Sequence, residues 1–475
     1  MTDEECIMKE QLLNIFYFFH GLLWGDLFAI PLPGGASMGI SVMVLMLIPA
    51  GIFFTIRLKF MPIRLFPEMI RVTLEKKTNS RNSLSGLQAL IVSTATRVGM
   101  GNLMGVVAAV SAGGAGAVFW MWITALLGSS TAFAEGVLAQ IHKDKDPLYG
   151  GYRGGPAYYI HNFMTKGKAG KKSIIAILFA LSGLLCWCGI SQVISNSVAS
   201  SFENAFNIPP LYTTIVLVAI CAVIVLRKNT TVKVLDIMVP IMAGCYFFIT
   251  IFIIVKNAAL LPDMFSRIFV EAFGLRAVAG GGLGAVVMNG VKRGLFSNEA
   301  GSGSAPCAAA AADVTHPAKA GILQAFGVFI DTIVICSCTA FIMLLAPETV
   351  TDGLEGMALL QSAMEYHLGT FGVYFIAAIL WTFCFSTFLG VLFYARSNVA
   401  YLFGDNWTSQ TAYKVICLAM LFVGGLAAYY FVWDLSDFGI GLMTVFNLAL
   451  LIPMAGQAAD SLKDYESKRK NGIDL

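Results

Sequence analysis

The sequence predicts an all-α polytopic membrane protein of eleven transmembrane helices, ten of them arranged as two inverted sets of five. Composition, the placement of basic residues and two glycine-rich polar interruptions carry that expectation. Of 475 residues, 57% are hydrophobic and only 12% charged, with a mean hydropathy of +0.76. A soluble globular chain is rarely so apolar. The net charge is only +3, and no basic tract is interleaved with aromatics, so a nucleic-acid partner is set aside.

A bilayer core takes about 20 apolar residues per helix. Spans then fall near 39–58, 85–110, 116–141, 173–200, 209–227, 232–256, 281–310, 318–346, 371–403, 411–431 and 436–457. The stretch 11–30 is apolar too, but it holds His20 and Asp26 and runs into Pro-Leu-Pro-Gly-Gly, so residues 1–37 read as an extracellular segment with an interfacial helix. The acidic start, MTDEEC, lacks the basic region of a secretory signal, and the membrane helices themselves are expected to act as signals.

Basic residues test the count, because each span added or missed would reverse every later loop. With the N-terminus outside, the cytoplasmic segments 57–84, 142–172, 227–233, 311–319, 396–414 and 458–475 hold 24 of the 31 Lys and Arg. Four lie outside (Lys9, Lys256, Arg267, Arg276), and Arg97, Lys292 and Arg293 fall within spans. An outside N-terminus and a cytoplasmic tail at 458–475 follow. The segment 60–77, FMPIRLFPEMIRVTLEKK, reads either as an amphipathic helix along the inner face or as a solvated linker. The ten cysteines lie mostly in apolar runs. The Cys186/Cys188 and Cys336/Cys338 pairs do not share a helix face or neighbour a histidine, so they read as packing residues.

Two spans combine several glycines with charge: STATRVGMGNLMG (93–105) and KRGLFSNEAGSGSAP (292–306). They open two sets of five spans, 85–256 and 281–457, and leave 39–58 as an extra helix within a single transmembrane domain. Because five is odd, the second set enters from the opposite face, which marks an inverted repeat with a discontinuous helix opening each half. Unwinding frees backbone groups that lipid cannot satisfy, so a cavity, ion or ligand must do so. Freed N–H groups suit a carboxylate and freed carbonyls suit Na+ or an ammonium. A zwitterionic amino acid with a metal cation fits both poles. A mid-membrane charge costs about 2.5–3.5 kcal/mol on insertion scales, so these residues need a reason. Close helix packing of the GxxxG kind is the competing reading. It leaves Asn102, Asn298 and Glu299 unexplained, and also the matched positions.

Several stretches strongly resemble the alanine or glycine:cation symporter family of prokaryotic amino-acid carriers: GLFSNEAGSGSAP (294–306), GMGNLMGVVAAVSAGGAGAVFWMW (99–122), FAEGVLA (133–139) and YRGGPAYYI (152–160). The resemblance spans about 38–460. It implies a LeuT-like fold of five plus five helices with an added N-terminal helix, in the prokaryotic plasma membrane. It also implies Na+-coupled uptake of small amino acids such as alanine and glycine, with glutamine carried by some members, and no enzymatic activity. Carried over by resemblance, Met100, Gly101 and Asn102 meet the substrate at the first break, and Phe296, Ser297, Asn298 and Gly301 at the second. Gln192 reaches its charged ends, and Trp381 and Phe385 wall its side chain. For the polar residues a helix–helix hydrogen bond is the alternative, and for the two aromatics it is core packing.

By similarity to LeuT-type transporters, Na+ is held by the carbonyls of Ala95 and Val98 and the hydroxyls of Ser386 and Thr387; hard cations take oxygen ligands. A helical hydroxyl bonded to its own backbone is the alternative. Many family members carry Thr where this chain has Met100, which leaves a glutamine substrate open. Arg97 lies where LeuT-type proteins place part of a first sodium site. Its guanidinium either substitutes for that ion, paired with Glu299 and leaving one Na+ per substrate, or faces a water-filled vestibule.

Other classes fit less well. A proton-driven carrier would use an intramembrane acid, and Glu135, Asp236, Glu299 and Asp331 are the candidates. No HExxH, GxSxG or P-loop lysine points to an enzyme, and a channel calls for a continuous polar stripe rather than two local breaks. The partners implied are an amino acid, Na+ and the bilayer, with no obligate protein partner.

Overall fold

The structure, a computed structural model, describes residues 3–31, 37–75, 86–166, 172–227, 231–274 and 283–473. Arg276, most of the Pro-Leu-Pro-Gly-Gly turn, the last two residues of the 60–77 segment and the first two of the 281–310 span lie outside the described residues, as do the side chains of Ala95 and Asp236.

Helices dominate. Among the described residues, six are long and apolar enough to cross a membrane: Gly116–Ile141, Ile174–Phe206, Ile237–Lys256, Pro317–Leu344, Thr370–Phe403 and Tyr429–Leu451. The other expected spans fall on shorter or interrupted helices, namely Val42–Arg57, Gly86–Arg97 with Gly101–Gly113, Pro210–Val225, Leu283–Asn298 with Pro306–Ala311, and Trp407–Gly424. The protein is a multi-pass membrane protein.

Local chemistry sets many of the ends. Ser41, Ser173 and Asn406 cap helices by accepting the N–H of Val44, Ala176 and Ser409 at 3.2, 3.4 and 2.7 Å. Gly404 ends the Thr370–Phe403 helix at φ 81°, a conformation natural to glycine. Glu271 accepts the N–H of Ala115 at 2.7 Å and so seats its carboxylate at the start of Gly116–Ile141, where the helix dipole favours negative charge.

Several elements exceed the sequence expectation. The first helix runs Asp3–Trp24 and is followed by a hairpin pairing Phe28–Pro31 with Ser37–Ile40. The 60–77 segment forms two short helices, Met61–Arg64 and Phe66–Thr73. The tail continues as the helix Ala455–Lys470. Pro317–Leu344 contains a wide π turn at Phe329–Cys336. Periodicity does not reveal such a turn, because it inserts one residue without changing the apolar pattern. π turns of this kind gather at functional sites.

Candidate functional site

The first break is short. The helix Gly86–Arg97 ends, Val98 and Gly99 bend, and the chain resumes at Met100 into a π turn over Gly101–Gly105. Asn102 staples the bend, its Oδ1 accepting the Gly99 N–H at 2.8 Å. The freed Met100 N–H donates to Thr387 Oγ1 at 3.1 Å. A Cβ on Gly101 would lie 3.2 Å from Ser297 Cα and 3.4 Å from the Phe296 carbonyl. Glycine therefore lets the two breaks touch.

Where they touch, the polar centre is Asp331, on the π turn of Pro317–Leu344. Asn102 Nδ2 donates to Asp331 Oδ1 at 2.7 Å and to the Asp331 carbonyl at 3.1 Å. Ser297 Oγ lies 2.9 Å from Oδ2, and Thr332 Oγ1 donates to the same oxygen at 2.6 Å. Cys336 Sγ stands 3.0 Å from Ser297 Oγ. The carboxylate is fully buried, and among the described residues no Lys, Arg or His forms an ion pair with it. The fully buried Arg97 guanidinium acts on this carboxylate only at a distance, so beside its neutral donors the site has room in its charge balance for a cation or a proton.

The second break is wider. Glu299, Gly301 and Gly303 all take positive φ (57°, 93° and 85°) between Leu283–Asn298 and Pro306–Ala311. Two of its freed N–H groups, those of Gly301 and Gly303, donate to Glu135 at 3.1 and 3.0 Å. Asn447 Nδ2 donates to the same carboxylate at 2.6 Å and to the Gly301 carbonyl at 3.0 Å, while Tyr159 donates to Asn447 Oδ1. A side-chain carboxylate of the chain itself thus fills the acceptor role that the sequence reading left to a ligand at this break.

At Gly303 a Cβ would lie 2.6 Å from Pro156 Cγ and 2.8 Å from Phe179 Cε2, besides the unfavourable φ. Gly303→Ala is expected to destabilise by about 1–3 kcal/mol. A lowered melting temperature in detergent would register this, with Gly456→Ala, which meets nothing within 4 Å and lies in a helix, as the control that is not lowered.

The structure gathers Met100, Gly101, Asn102, Phe296 and Ser297 at the contact between the breaks. Phe296 also packs on Trp433, ring centroids 4.9 Å apart. Asn298 turns back, its Oδ1 accepting the Ala300 N–H at 3.0 Å, and Gly301 is held by Glu135. Gln192 lies elsewhere: its Nε2 is 3.3 Å from Met420 Sδ on Trp407–Gly424. Trp381 packs on Phe202 at 5.5 Å, and Phe385 is buried in the apolar core. Ser386 and Thr387 each donate to the Phe383 carbonyl at 2.9 Å, leaving oxygen lone pairs, one of which Thr387 gives to Met100.

Arg97 is fully buried, and its Nη1 donates to the Gln324 carbonyl at 3.1 Å. It forms no direct ion pair with Glu299 among the described residues; Tyr394 donates to Glu299 at 3.3 Å instead. Sequence reasoning weighed Asp331 and Glu135 only as proton carriers, read Cys336 as a packing residue and did not single out Thr332 or Asn447. The acid inside the apolar run FIDTIVIC was the signal available.

Lys292 and Arg293, the charges that stood out in the sequence, meet Asp437. Arg293 binds it in bidentate fashion at 3.1 and 2.9 Å and Lys292 Nζ at 2.8 Å, while Arg293 lies over the Trp433 ring at 4.3 Å. Trp24 of the first helix donates to the Asp437 carbonyl at 2.9 Å. Asp437→Asn leaves two cations with one neutral partner and is expected to destabilise by about 3–5 kcal/mol. Asp434→Asn, whose carboxylate is 3.7 Å from His20 and part-exposed, is expected to change stability by less than about 1 kcal/mol. Thermal melts of the two variants compare them directly.

Comparison with known proteins adds the context. Residues 34–475 match the model of the sodium:alanine symporter family. The chain is 39% identical over 470 residues to the probable sodium/glutamine symporter GlnT of Bacillus subtilis, covering 98% of this chain and 93% of that one. It is 35% identical to the sodium/alanine symporter AgcS of Methanococcus maripaludis, covering 90% and 95%. Among solved structures it is similar to MhsT in complex with L-phenylalanine, with a TM-score of 0.57 at 12% identity over 79% of this chain and 89% of that one. A mutant of the manganese transporter of Eremococcus coleocola gives a TM-score of 0.51 at 13% identity, covering 82% and 81%. At such identities the likeness concerns the fold alone.

Proposed function

This chain belongs to the sodium:alanine symporter family and is a sodium-coupled amino-acid symporter rather than an enzyme, and we propose that it imports a small neutral amino acid of the alanine type by alternating access. Eleven spans, the last ten as an inverted five-plus-five repeat, an extracellular N-terminus and a cytoplasmic tail are the arrangement we infer from the loop charges. The two discontinuous helices meeting at Gly101 and Ser297 support it.

The observation that carries the mechanism is the buried Asp331 carboxylate, hydrogen-bonded to Asn102, Ser297 and Thr332 and lacking a cationic partner within 4 Å among the described residues. A carboxylate and hydroxyls are the hard oxygens that Na+ requires. We place the coupling ion there, with Asn102 and Ser297 reporting its arrival to both breaks. The carbonyls of Ala95 and Val98 with the Ser386 and Thr387 hydroxyls are a second oxygen set beside the first break, supported by the Met100 to Thr387 bond. The fixed charge of Arg97 substitutes for the ion of a separate, first sodium site, giving one Na+ per amino acid, with the Ser386 and Thr387 set as the alternative place for that Na+. The substrate would bind against Met100, Gly101, Asn102, Phe296 and Ser297, its carboxylate taking the Met100 N–H in place of the Thr387 hydroxyl. Inward movement of one positive charge gains about 2.3 kcal/mol per 100 mV.

A glutamine substrate is the second reading, favoured by the thioether at Met100 and by the likeness to a probable sodium/glutamine symporter. Uptake of radiolabelled alanine and glutamine into proteoliposomes tests both, with an inward Na+ gradient, a K+ control and a separate pH gradient. Na+-dependent accumulation of alanine is the expected result, and preferential accumulation of glutamine selects the second reading. Accumulation on the pH gradient alone would reassign Asp331 to protons and retract the sodium sites, and two Na+ per amino acid would retract the role given to Arg97.

A further inference from the structure

At the end of the molecule assigned to the cytoplasm, Glu68 is only 2% exposed although it belongs to a short amphipathic helix, Phe66–Thr73. It is the centre of a clamp. Arg71 binds it through Nε and Nη2 at 3.1 and 2.8 Å, and from the tail helix Ala455–Lys470 come Arg469, which pairs with its Oε2, and Tyr465, whose hydroxyl donates to its Oε1. Burial, with the neighbouring Glu68, pushes the Tyr465 phenol above its ordinary pKa, so it stays a neutral donor. Two further pairs join the tail to the body: Arg64 with Glu466 at 2.7 Å and His316 with Asp464 at 3.0 Å.

The clamped helix leads directly toward the polar centre. Its first residue, Phe66, packs on Phe329 with centroids 5.0 Å apart and on Phe326 at 6.1 Å. Phe329 opens the π turn that carries Asp331 two residues later. Beyond the helix, Glu75 reaches Lys319 at 2.5 Å, near the start of the helix that contains this turn. Packed aromatic contacts transmit small displacements because protein interiors have little free volume to absorb them.

We propose that Glu68 is a positioning residue: it latches the carboxy-terminal helix onto Phe66–Thr73 and, through Phe66 and Phe329, holds the Asp331 turn in its ion-binding arrangement. The tail is then a working part of the transport cycle, and opening toward the cytoplasm requires the latch to release. This rests on the assignment of Asp331 to the coupling ion and on the orientation given above.

The full-length chain in lipid nanodiscs and proteoliposomes tests it, with Glu68→Gln, Tyr465→Phe and Arg469→Lys. Hydrogen exchange is followed at 86–97, 329–336 and 455–470, with choline chloride balancing NaCl, and Na+-driven uptake is measured beside it. Glu68→Gln is expected to raise exchange at 329–336 and the half-saturating Na+ concentration by at least about fivefold, with maximal uptake changed less than about twofold. Arg469→Lys, which keeps the cation, should stay near wild type. Exchange raised only at 455–470, with half-saturating Na+ within about twofold of wild type, would overturn the latch. If Glu68→Gln fails to give monodisperse protein, Tyr465→Phe decides by the same readouts. Should Asp331→Asn leave Na+ dependence intact while the latch variants still loosen 329–336, the ion assignment fails and the latch stands.

Discussion

Replacing Asp331 by Asn is expected to abolish sodium dependence, lowering Na+-driven uptake at physiological Na+ by about 100-fold or more. Removing even a group that only orients a metal ligand weakens metal binding by about 10–100-fold, and Asp331 would supply the ligand charge itself. The isosteric amide can keep most of the hydrogen bonds from Asn102, Ser297 and Thr332, so the variant is expected to fold. The informative measurement is uptake against Na+ concentration, together with a melting curve with and without Na+: wild type should be stabilised by the ion and the variant should not. An unchanged Na+ response in Asp331→Asn would move the coupling ion to the oxygens around Ser386 and Thr387. Ser297→Ala removes one hydroxyl donor from the same carboxylate and should shift half-saturation in the same direction by a smaller factor.

The second large effect belongs to Glu135. Its carboxylate accepts three hydrogen bonds, from Gly301, Gly303 and Asn447, in a fully buried setting. Glu135→Ala leaves two backbone N–H groups without acceptors and Asn447 with the Gly301 carbonyl alone, where lipid and packed side chains offer none. An expected loss of about 2–5 kcal/mol follows from the cost of stranding buried donors around a deleted charge. Glu135→Gln should be intermediate, because an amide offers one acceptor oxygen and turns its NH2 toward donors. Melting temperature and the yield of monodisperse protein read the stability. Uptake by the surviving Glu135→Gln protein reads whether the second break still closes. A Glu135→Ala protein as stable as wild type would show that the break is held by the helices flanking it and not by this carboxylate.

The two readings differ in what a ligand does at the second break. From sequence, its freed N–H groups were open to a substrate carboxylate. In the folded chain Glu135 occupies two of them, and the Met100 N–H at the first break is answered by Thr387. The breaks are thus stapled by side chains from other helices, which lets irregular backbone survive at membrane depth.

Much of this protein is determined by its sequence alone. Apolar runs of the length of a bilayer, glycine beside charge at 93–105 and 292–306, and proline and glycine at helix ends are local signals, so helix positions and both breaks were legible. The family was legible too, because its long motifs lie in those same breaks. The π turn at Phe329–Cys336 was not, since one inserted residue leaves the apolar pattern intact. Nor were the partners of the charges. Arg293 meets Asp437 across 144 residues, Asn102 meets Asp331 across 229 and Glu68 meets Tyr465 across 397. An acid in an apolar run declares that it needs a partner, but which residue supplies it depends on how helices far apart in the chain pack side by side, and only the tertiary structure decides that.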